Sequence, residues 1–297
     1  MQTAIAQQFM HNIENEFLKV SARNLGAELT SLFSKESNIE HLWQADQKWW
    51  GWHAPVLFPV VGRCQNDRIH LGKKAYPMEK HGFARKSNFD LIEQSETAMV
   101  FSLKSSDSTK QFYPFEFEFN IGFELHKNSL QQWFSVSNKH ETPMLFSLGA
   151  HPAFAVPFSK NEAFNQYHLE FEHAEILNRK HIDTDGFFNG VASIVSTNGN
   201  IHLTPELFNS DALIFKDHTS RSVCIKSNLH SHWLKVKFDG FPYLGIWTKE
   251  GAPYVCIEPW FGCADTANQT TDFAAKEGII ALQPGKKFYA ALQIEVG

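Results

Sequence analysis

The feature that most constrains this sequence is a run of strict alternation between apolar and polar residues at positions 115–125. Phenylalanine, isoleucine and leucine occupy every second position, and glutamate, asparagine and glycine fill the positions between them. Successive side chains of a β-strand point to opposite faces of its sheet, so a period of two predicts a strand with one buried face. A helix would instead place its apolar residues three and four positions apart.

The same pattern recurs along the chain and predicts an all-β fold. Lys127 and Asn128 form a turn, and residues 130–138 alternate again, which predicts an antiparallel hairpin. Further strands are predicted at 17–35 (two strands), 167–171, 212–215, 233–238, 244–247 and 288–296. No segment has a long helical period, and no linker or repeat interrupts the chain. We therefore expect one large antiparallel β-sandwich, formed as a single domain over residues 1–297.

Length and composition agree with that architecture. A chain of 297 residues is long enough for two ordinary domains, but sandwiches often exceed the usual domain length. Hydrophobic residues make up 43% of the chain and charged residues 20%, which is ordinary for a globular protein in water. The 27 phenylalanines and 8 tryptophans favour strands around a large aromatic core.

The net charge and the N-terminal residues limit the classes of partner and the cellular compartment that can be expected. The net charge of -5 argues against a surface for nucleic acid or for an anionic membrane. Residues 1–16 contain neither a basic segment nor the apolar core of a signal peptide, and no apolar run reaches membrane-spanning length. We expect a cytoplasmic protein. Exposed edge strands leave a homodimer open as its assembly.

The four cysteines predict neither a metal site nor a disulfide framework. Cys64, Cys224, Cys256 and Cys263 are scattered, and no two of them are three positions apart. Free buried thiols are the expectation from this spacing. No metal site is expected from these cysteines.

Two ionisable residues stand out because each is fixed by a following proline. His151 lies in the small and apolar segment SLGAHPAF at 147–154, and Glu258 ends the apolar run YVCIEPW at 254–260. Proline restricts the residue before it to extended backbone, so both side chains are expected at rigid strand ends. A lone histidine is more often a hydrogen-bonded core residue than a catalyst. A carboxylate in such an apolar setting, however, seldom lacks a partner.

Together, the two residues have the chemistry to move a proton. Opening of a sugar hemiacetal requires a base at the anomeric hydroxyl and an acid at the ring oxygen. Glu258 and His151 are the right types, provided that they lie on opposite sides of one small ligand.

Several other residues are candidate ligand contacts. Arg63 follows Gly62 at the end of an apolar run and is expected to line a cavity, whereas Arg68 and Arg85 are also compatible with surface ion pairs. His81 precedes a glycine in the same region. Aromatic rings that could stack on a ligand, or simply belong to the core, are those of Trp43, Trp50 and Trp260.

Two further candidates have competing interpretations. Asp211 precedes an apolar run and is either a ligand-binding carboxylate or a turn residue. His230 and His232 share a face if their segment is extended, but with no third ligand in view a solvated edge is expected rather than a metal site.

The order of these motifs resembles the aldose 1-epimerase (galactose mutarotase-like) superfamily, and most closely its LacX-like branch. Each motif is short, but the series covers almost the whole chain in the order found in the family. The matching segments are GAEL at 26–29, LWQ at 42–44, PVVGR at 59–63, HGFAR at 81–85, GAHP at 149–152, DALI at 211–214 and IEPW at 257–260.

The resemblance implies a large supersandwich with an open sugar-binding cleft and cofactor-free interconversion of α and β anomers. His151 matches the acid that protonates the ring oxygen, and Glu258 matches the base that removes the anomeric proton. Arg63, His81 and Asp211 match positions that hold sugar hydroxyls.

Three alternatives stay open at this point. A hexose-6-phosphate 1-epimerase would need several arginines around a phosphate, and Arg63, Arg68 and Arg85 could supply them. A glycoside hydrolase would need two carboxylates, such as Glu258 and Asp211, and would leave His151 without a role. A sugar-binding or sensing protein would keep the cleft without turnover.

Overall fold

The structure, a computed structural model, describes residues 9–267 and 272–297. Its strands are β1 (Met10–Glu14), β2 (Leu18–Arg23), β3 (Glu28–Ser34), β4 (Ile39–Glu40), β5 (Val56–Leu57), β6 (Arg68–Leu71), β7 (Lys74–Pro77), β8 (Asp90–Gln94), β9 (Ala98–Lys104), β10 (Phe117–His126), β11 (Ser129–Asn138), β12 (Met144–Phe146), β13 (Leu148–Ala150), β14 (Ala153–Ala155), β15 (Tyr167–Phe171), β16 (Leu177–Ile182), β17 (Phe188–Ser196), β18 (Asn200–His202), β19 (Leu213–Phe215), β20 (Ser222–Ser227), β21 (Trp233–Lys237), β22 (Tyr243–Trp247), β23 (Tyr254–Phe261), β24 (Ile280–Leu282) and β25 (Lys287–Val296).

Helical structure in the described residues is limited to short turns. The α-helix α1 (Asp107–Lys110) is one turn long, and the 3-10 turns are Gln65–Asp67, Ala84–Lys86, Phe164–Gln166, Pro205–Phe208 and Phe273–Ala275. None of these helices could span a membrane. Residues 1–8, the first half of the N-terminal segment 1–16, lie outside the described residues.

Two large antiparallel sheets dominate the fold. One has nine strands in the order β18-β15-β20-β21-β25-β11-β10-β9-β8. The other has the order β17-β16-β19-β22-β23-β13-β5, with β14 also paired to β23. Smaller sheets are formed by β1–β4, by β12 with β24 and by β6 with β7. The predicted all-β antiparallel sandwich is therefore confirmed.

Aromatic side chains from both large sheets meet in a common core. Phe261 of β23 lies 5.1 Å from Phe288 of β25, and Phe215 of β19 lies 5.8 Å from Phe171 of β15, measured between ring centroids. One cluster of buried apolar side chains extends from Ile13 to Val296. Burial of this aromatic surface supplies the main free energy of folding. The division of the chain into domains stays a prediction.

The hairpin expected from the alternation is present in register. β10 and β11 pair from Phe117 with Asn138 to His126 with Ser129. The apolar positions of β10 are buried, as the period of two requires. Phe115 lies before the strand, because its N–H donates to the carbonyl of Tyr113 instead of joining the ladder.

Candidate active site

The strand β23 divides its side chains between the core and a cavity. Val255 and Ile257 belong to the main core, whereas Glu258 and Trp260 line a cavity on the opposite face of the sheet. The period of two along the strand explains this division. The cavity has a volume of about 190 Å³, below the range of pockets for drug-sized ligands, which indicates a small ligand.

Two glycines make room for the indole ring that forms one wall of this cavity. Gly149 of β13 is the cross-strand partner of Trp260, and Gly245 of β22 is the partner of Glu258. A Cβ atom at Gly149 would lie 2.6 Å from the indole, and one at Gly245 would lie 2.5 Å from it. Glycine inside a strand marks this kind of close approach, so the sheet holds the ring flat against its own backbone.

We expect the Gly245→Ala change to push the Trp260 indole into the cavity. The added methyl group overpacks the site and should lower the free energy of unfolding by about 1–3 kcal/mol. Ligand affinity should also fall, since the indole takes up cavity space. Thermal unfolding and ligand titration measure both effects. Adding Trp260→Phe should restore stability; failure of this second change to do so would contradict the steric explanation.

His151 is delivered to the same cavity by the strands next to β23. It follows β13, and its N–H donates to the carbonyl of Pro55 at 3.1 Å. Pro152 follows it, and β14 then pairs with β23. Trp50 stacks on the imidazole with ring centroids 4.9 Å apart. The backbone anchor, the proline and the stacked indole together fix the ring orientation.

His151 and Glu258 are in direct contact at the floor of the cavity. The imidazole Nε2 lies 3.2 Å from the carboxylate Oε2. Their side chains are 10% and 2% exposed. The two groups therefore lie side by side, and not on opposite sides of a ligand-sized space as the sequence analysis required. A ligand would have to present two adjacent atoms to the pair.

Burial shifts both pKa values toward the neutral forms. Desolvation raises the pKa of Glu258 well above its usual range, although the Lys80 charge opposes the shift, and Asp211 adds to it. Desolvation lowers the pKa of His151 to about 3, against a hydrogen bond to its own backbone, with smaller effects from Lys80 and Arg85. Burial therefore disfavours the charged form of each group. A single proton shared across the 3.2 Å contact can lie on the carboxylate or on the imidazole Nε2.

His81 is fixed as a hydrogen-bond donor into the cavity. The N–H of Gly62 donates to its Nδ1 at 3.2 Å, so that nitrogen carries no proton. Burial lowers the pKa of His81 well below its usual range, and nearby Lys80, His151 and Arg85 lower it further. A neutral ring with Nδ1 as acceptor must carry its proton on Nε2. The left-handed backbone at His81, with φ of 68°, is a conformation often found at functional sites.

Asp211 and Arg85 also line the cavity. Asp211 has a φ of 67°, and its Oδ1 accepts the N–H of Ala212 at 2.7 Å. The structure gives its other carboxylate oxygen no hydrogen bond within the described part of the chain, so that oxygen is free for a ligand. Arg85 donates to the carbonyl of Lys80 at 2.8 Å, and its guanidinium lies 5.6 Å from the ring centroid of Trp52.

Arg63 is the predicted site residue that lies apart from the others. It lines an adjoining outer groove rather than the cavity. Its guanidinium binds both carboxylate oxygens of Asp67, at 2.8 and 2.9 Å, and donates to the carbonyl of Asp185 at 3.2 Å. These bonds use most of its donors. Arg68, which sequence reasoning also considered, is exposed on β6.

Sequence reasoning missed several residues that line the cavity, among them Lys80 and Trp247. Lys80 is exposed at its mouth, and Trp247 packs edge-on against His151 with ring centroids 6.0 Å apart. The position of Lys80 next to His81 was the only signal for it. For Trp247, the signal was its place at the end of a predicted strand.

The Glu28 carboxylate holds the loop that carries Trp50. It is buried, pairs with Arg23 and accepts the N–H groups of His53 at 2.7 Å and Ala54 at 3.1 Å. Trp43 completes the loop by donating its indole N–H to the carbonyl of Trp50 at 2.9 Å. The GAEL motif thus contributes to the site indirectly, by positioning the ring that stacks on His151.

One group of side chains in the described residues could hold a metal ion. It consists of His151, Cys256 and Glu258, whose ligand atoms lie within 4.8 Å of one another. Cys256 is fully buried, and burial raises the pKa of its thiol well above its usual range. His230 and His232, the other histidine pair, lie in the loop before β21, and His230 contacts Tyr167 and Glu162.

Comparison with known proteins identifies the family. The family described as aldose 1-epimerase matches residues 10–295. The plasmid-encoded and the chromosomal LacX proteins of Lactococcus lactis subsp. lactis are each 32% identical over 290 residues, covering 93% of this chain and 97% of theirs.

Solved structures agree with this relationship. A galactose mutarotase related enzyme from Lactobacillus acidophilus superposes with a TM-score of 0.93 at 33% identity, covering 97% of each chain. A galactose mutarotase-like protein from Lactobacillus casei gives 0.92 at 33% identity, covering 97% of this chain and all of its own. The chain therefore belongs to the aldose 1-epimerase family, on the side of its LacX relatives.

Proposed function

We propose that this protein is an aldose 1-epimerase that interconverts the α and β anomers of a free hexose. The observation that carries the proposal is the buried contact between His151 and Glu258 at the floor of a small cavity. Membership of the aldose 1-epimerase family supports the same reaction class. Glu258 is the base, and His151 is the acid.

The side-by-side arrangement fits the atoms that react. The anomeric hydroxyl oxygen and the ring oxygen of a pyranose are both bonded to C1, so they are neighbours. Adjacent acid and base groups can therefore reach both from one side. With the shared proton on His151, Glu258 takes the proton of the anomeric hydroxyl while His151 delivers its own to the ring oxygen, and the C1–O5 bond breaks to give the open-chain aldehyde.

The second half of the reaction reverses these steps on the other face of the aldehyde. Rotation about the C1–C2 bond turns the carbonyl, and the C5 hydroxyl then attacks it. His151 removes the proton of that hydroxyl, while Glu258 returns a proton to the new anomeric oxygen. The pair begins and ends with one proton, so no other reactant is consumed.

The remaining cavity residues supply the contacts that hold a sugar. His81 offers its Nε2–H, and Asp211 offers a carboxylate oxygen. The Trp260 indole N–H is buried beside the Glu258 carboxylate, whose pKa it lowers, and makes no other hydrogen bond within the described residues. It can therefore also donate to a ligand oxygen. Donors and acceptors of this kind suit a neutral, hydroxyl-rich ligand.

A phosphorylated hexose is the second candidate substrate. Lys80 and Arg85 line the cavity and could approach a phosphate. The third cation of this region, Arg63, is already paired with Asp67. The outer groove is also lined by four carboxylates, those of Asp67, Glu79, Asp185 and Asp211, which oppose an anion. The charge distribution therefore favours the free sugar.

Polarimetry on freshly dissolved α-D-galactose and α-D-glucose tests the proposal. We expect the wild-type protein to accelerate the approach to anomeric equilibrium and Glu258→Gln to lose that effect. If the protein accelerated anomeric interconversion only for glucose 6-phosphate, the phosphorylated hexose would be its substrate. A protein that binds these sugars but accelerates none of them would be a binding module, and the proposal would fail.

The pH dependence of the rate follows from the two shifted pKa values. The reactive pair holds one proton, so activity should fall where it gains a second one, near the His151 pKa of about 3. Activity should also fall on the alkaline side, where the raised pKa of Glu258 is passed and the pair loses its proton. Initial rates across the pH range measure both limbs. A profile that lacks either limb would argue against the pair.

A further inference from the structure

The Cys256 thiol lies next to the proposed catalytic pair but has no part in epimerisation. Cys256 and Glu258 are two positions apart on β23, so their side chains point to the same face of the sheet. His151 lies on the neighbouring connection, two residues before Ala153, which pairs with Cys256. Three different ligand atoms, from nitrogen, sulfur and oxygen, thus converge from rigid strands.

We propose that these three side chains form a binding site for a divalent ion of the zinc type, and that the bound ion inhibits the enzyme. The imidazole, thiolate and carboxylate would supply three protein ligands, with the cavity leaving a fourth position open. Three protein ligands and one open position are the usual form of an accessible zinc site. Thiolate and imidazole ligands favour Zn²⁺ and Co²⁺ over Mg²⁺ or Ca²⁺.

The charges of the ligands suit a divalent ion. Glu258 and Cys256 are 2% and 0% exposed, and as carboxylate and thiolate they carry two negative charges in total. A divalent ion with these two ligands and a neutral imidazole forms a site without net charge, which is the favourable state in a buried environment. Within the described residues the Glu258 carboxylate contacts the His151 imidazole at 3.2 Å and the Trp260 indole N–H, which leaves further oxygen lone pairs for an ion.

The three ligand atoms need to move only slightly closer together to bind one metal ion. Bond lengths of about 2.0–2.3 Å place the ligand atoms of a tetrahedral zinc site roughly 3.3–3.8 Å apart. The 3.2 Å separation of His151 and Glu258 lies just below this range, and the longest separation is at most 4.8 Å. Side-chain rotation of about 1 Å closes the difference.

The cations around the cavity weaken metal binding, so the ion is expected to exchange rather than to stay bound. Lys80 and Arg85 line the same cavity, and their positive charges oppose the ion. We therefore expect reversible binding that competes with the sugar, because the ion occupies both groups that move protons. This inhibitory effect rests on the proposed function, whereas the binding itself does not.

Cobalt binding tests the site without any activity measurement. Chelator-treated full-length protein is titrated with Co²⁺, and the thiolate-to-cobalt charge-transfer absorption in the near ultraviolet is recorded. We expect a signal that saturates at one equivalent and is displaced by Zn²⁺. Cys256→Ser should lose the signal, and Cys263→Ser, a change at another buried cysteine outside the cluster, should keep it. No signal in the wild type, or a signal that persists in Cys256→Ser, would overturn the proposal.

Inhibition is measured separately by polarimetry. Zn²⁺ should slow the wild-type reaction in competition with galactose, and Cys256→Ser should be at least tenfold less sensitive, because even outer partners of metal ligands change affinity by 10–100-fold. Equal sensitivity of the two proteins would overturn the inhibitory assignment. A protein that gives the cobalt signal but accelerates no sugar would support the site and refute the proposed function.

Discussion

Glu258→Gln is expected to keep its fold and to lose epimerase activity by a factor of about 10²–10⁴, the range for general acid–base catalysis. The amide has nearly the shape of the carboxyl group, so the contacts with Trp260 and His151 should persist. It cannot accept the anomeric proton, so ring opening loses its base. Polarimetry at several protein concentrations measures the loss.

The same variant is expected to be more stable than the wild type at neutral and alkaline pH. Burial raises the pKa of Glu258 in the folded state above its unfolded value. The folded protein therefore binds this proton more tightly, and the associated stability is present at low pH and lost as the pH rises through the folded-state pKa. Glutamine does not titrate, so the stability difference between variant and wild type should grow as the pH rises above the unfolded carboxyl pKa of about 4.3.

Thermal unfolding across this pH range measures that difference, with Glu250→Gln as a matched control. Glu250 lies in an exposed turn between β22 and β23, so its replacement should change neither activity nor the pH dependence of stability. Near-normal epimerisation by folded Glu258→Gln would refute the base assignment. A stability difference that does not depend on pH would refute the account of the buried carboxyl group.

The strands of this fold could be predicted because their signal is local. Alternation at 115–125 and 130–138 needs only the neighbouring residues, and both strands were found within two residues of their limits. The order of the strands in the sheets could not be predicted from such local patterns. β11 pairs with β25, some 150 residues further along the chain, and that choice depends on packing between distant segments.

The site was predictable to the extent that its residues carry local signals. His151 and Glu258 were marked by the prolines that follow them, and both lie in the cavity with His81, Asp211 and Arg85. The side-by-side contact was not predictable, because it depends on how β13 and β14 pair with β23. The free oxygens and N–H groups around the cavity likewise become visible only in three dimensions.

Arg63 and Lys80 show the limit of reasoning from local context. Arg63 follows a glycine at the end of an apolar run. Its guanidinium nevertheless pairs with Asp67, four residues later in the chain, and lies in the outer groove. Lys80 lies in a polar segment that looks like an ordinary surface loop, yet it lines the cavity. In both cases the position of a long, flexible side chain is decided by tertiary contacts.

His151→Gln is the second change with a large expected effect. The variant keeps a side chain of similar length against Trp50 but can no longer transfer a proton to the ring oxygen, so the rate should again fall by about 10²–10⁴-fold. The acidic limb near the His151 pKa of about 3 should disappear from the pH profile, because that group no longer titrates. Loss of activity without this change in the profile would point to a structural role for His151.

The double variant Glu258→Gln with His151→Gln decides whether the two residues act as one unit. If their contributions were independent, the two losses would multiply to about 10⁴–10⁸-fold. The two side chains are 3.2 Å apart and serve the same ring-opening step, in which removal of one proton requires delivery of the other. Residues that act as a unit are strongly non-additive, so we expect the double variant to be within about tenfold of the more damaged single variant. Polarimetry on the four proteins completes the cycle, and multiplicative losses would show that acid and base act in separate steps.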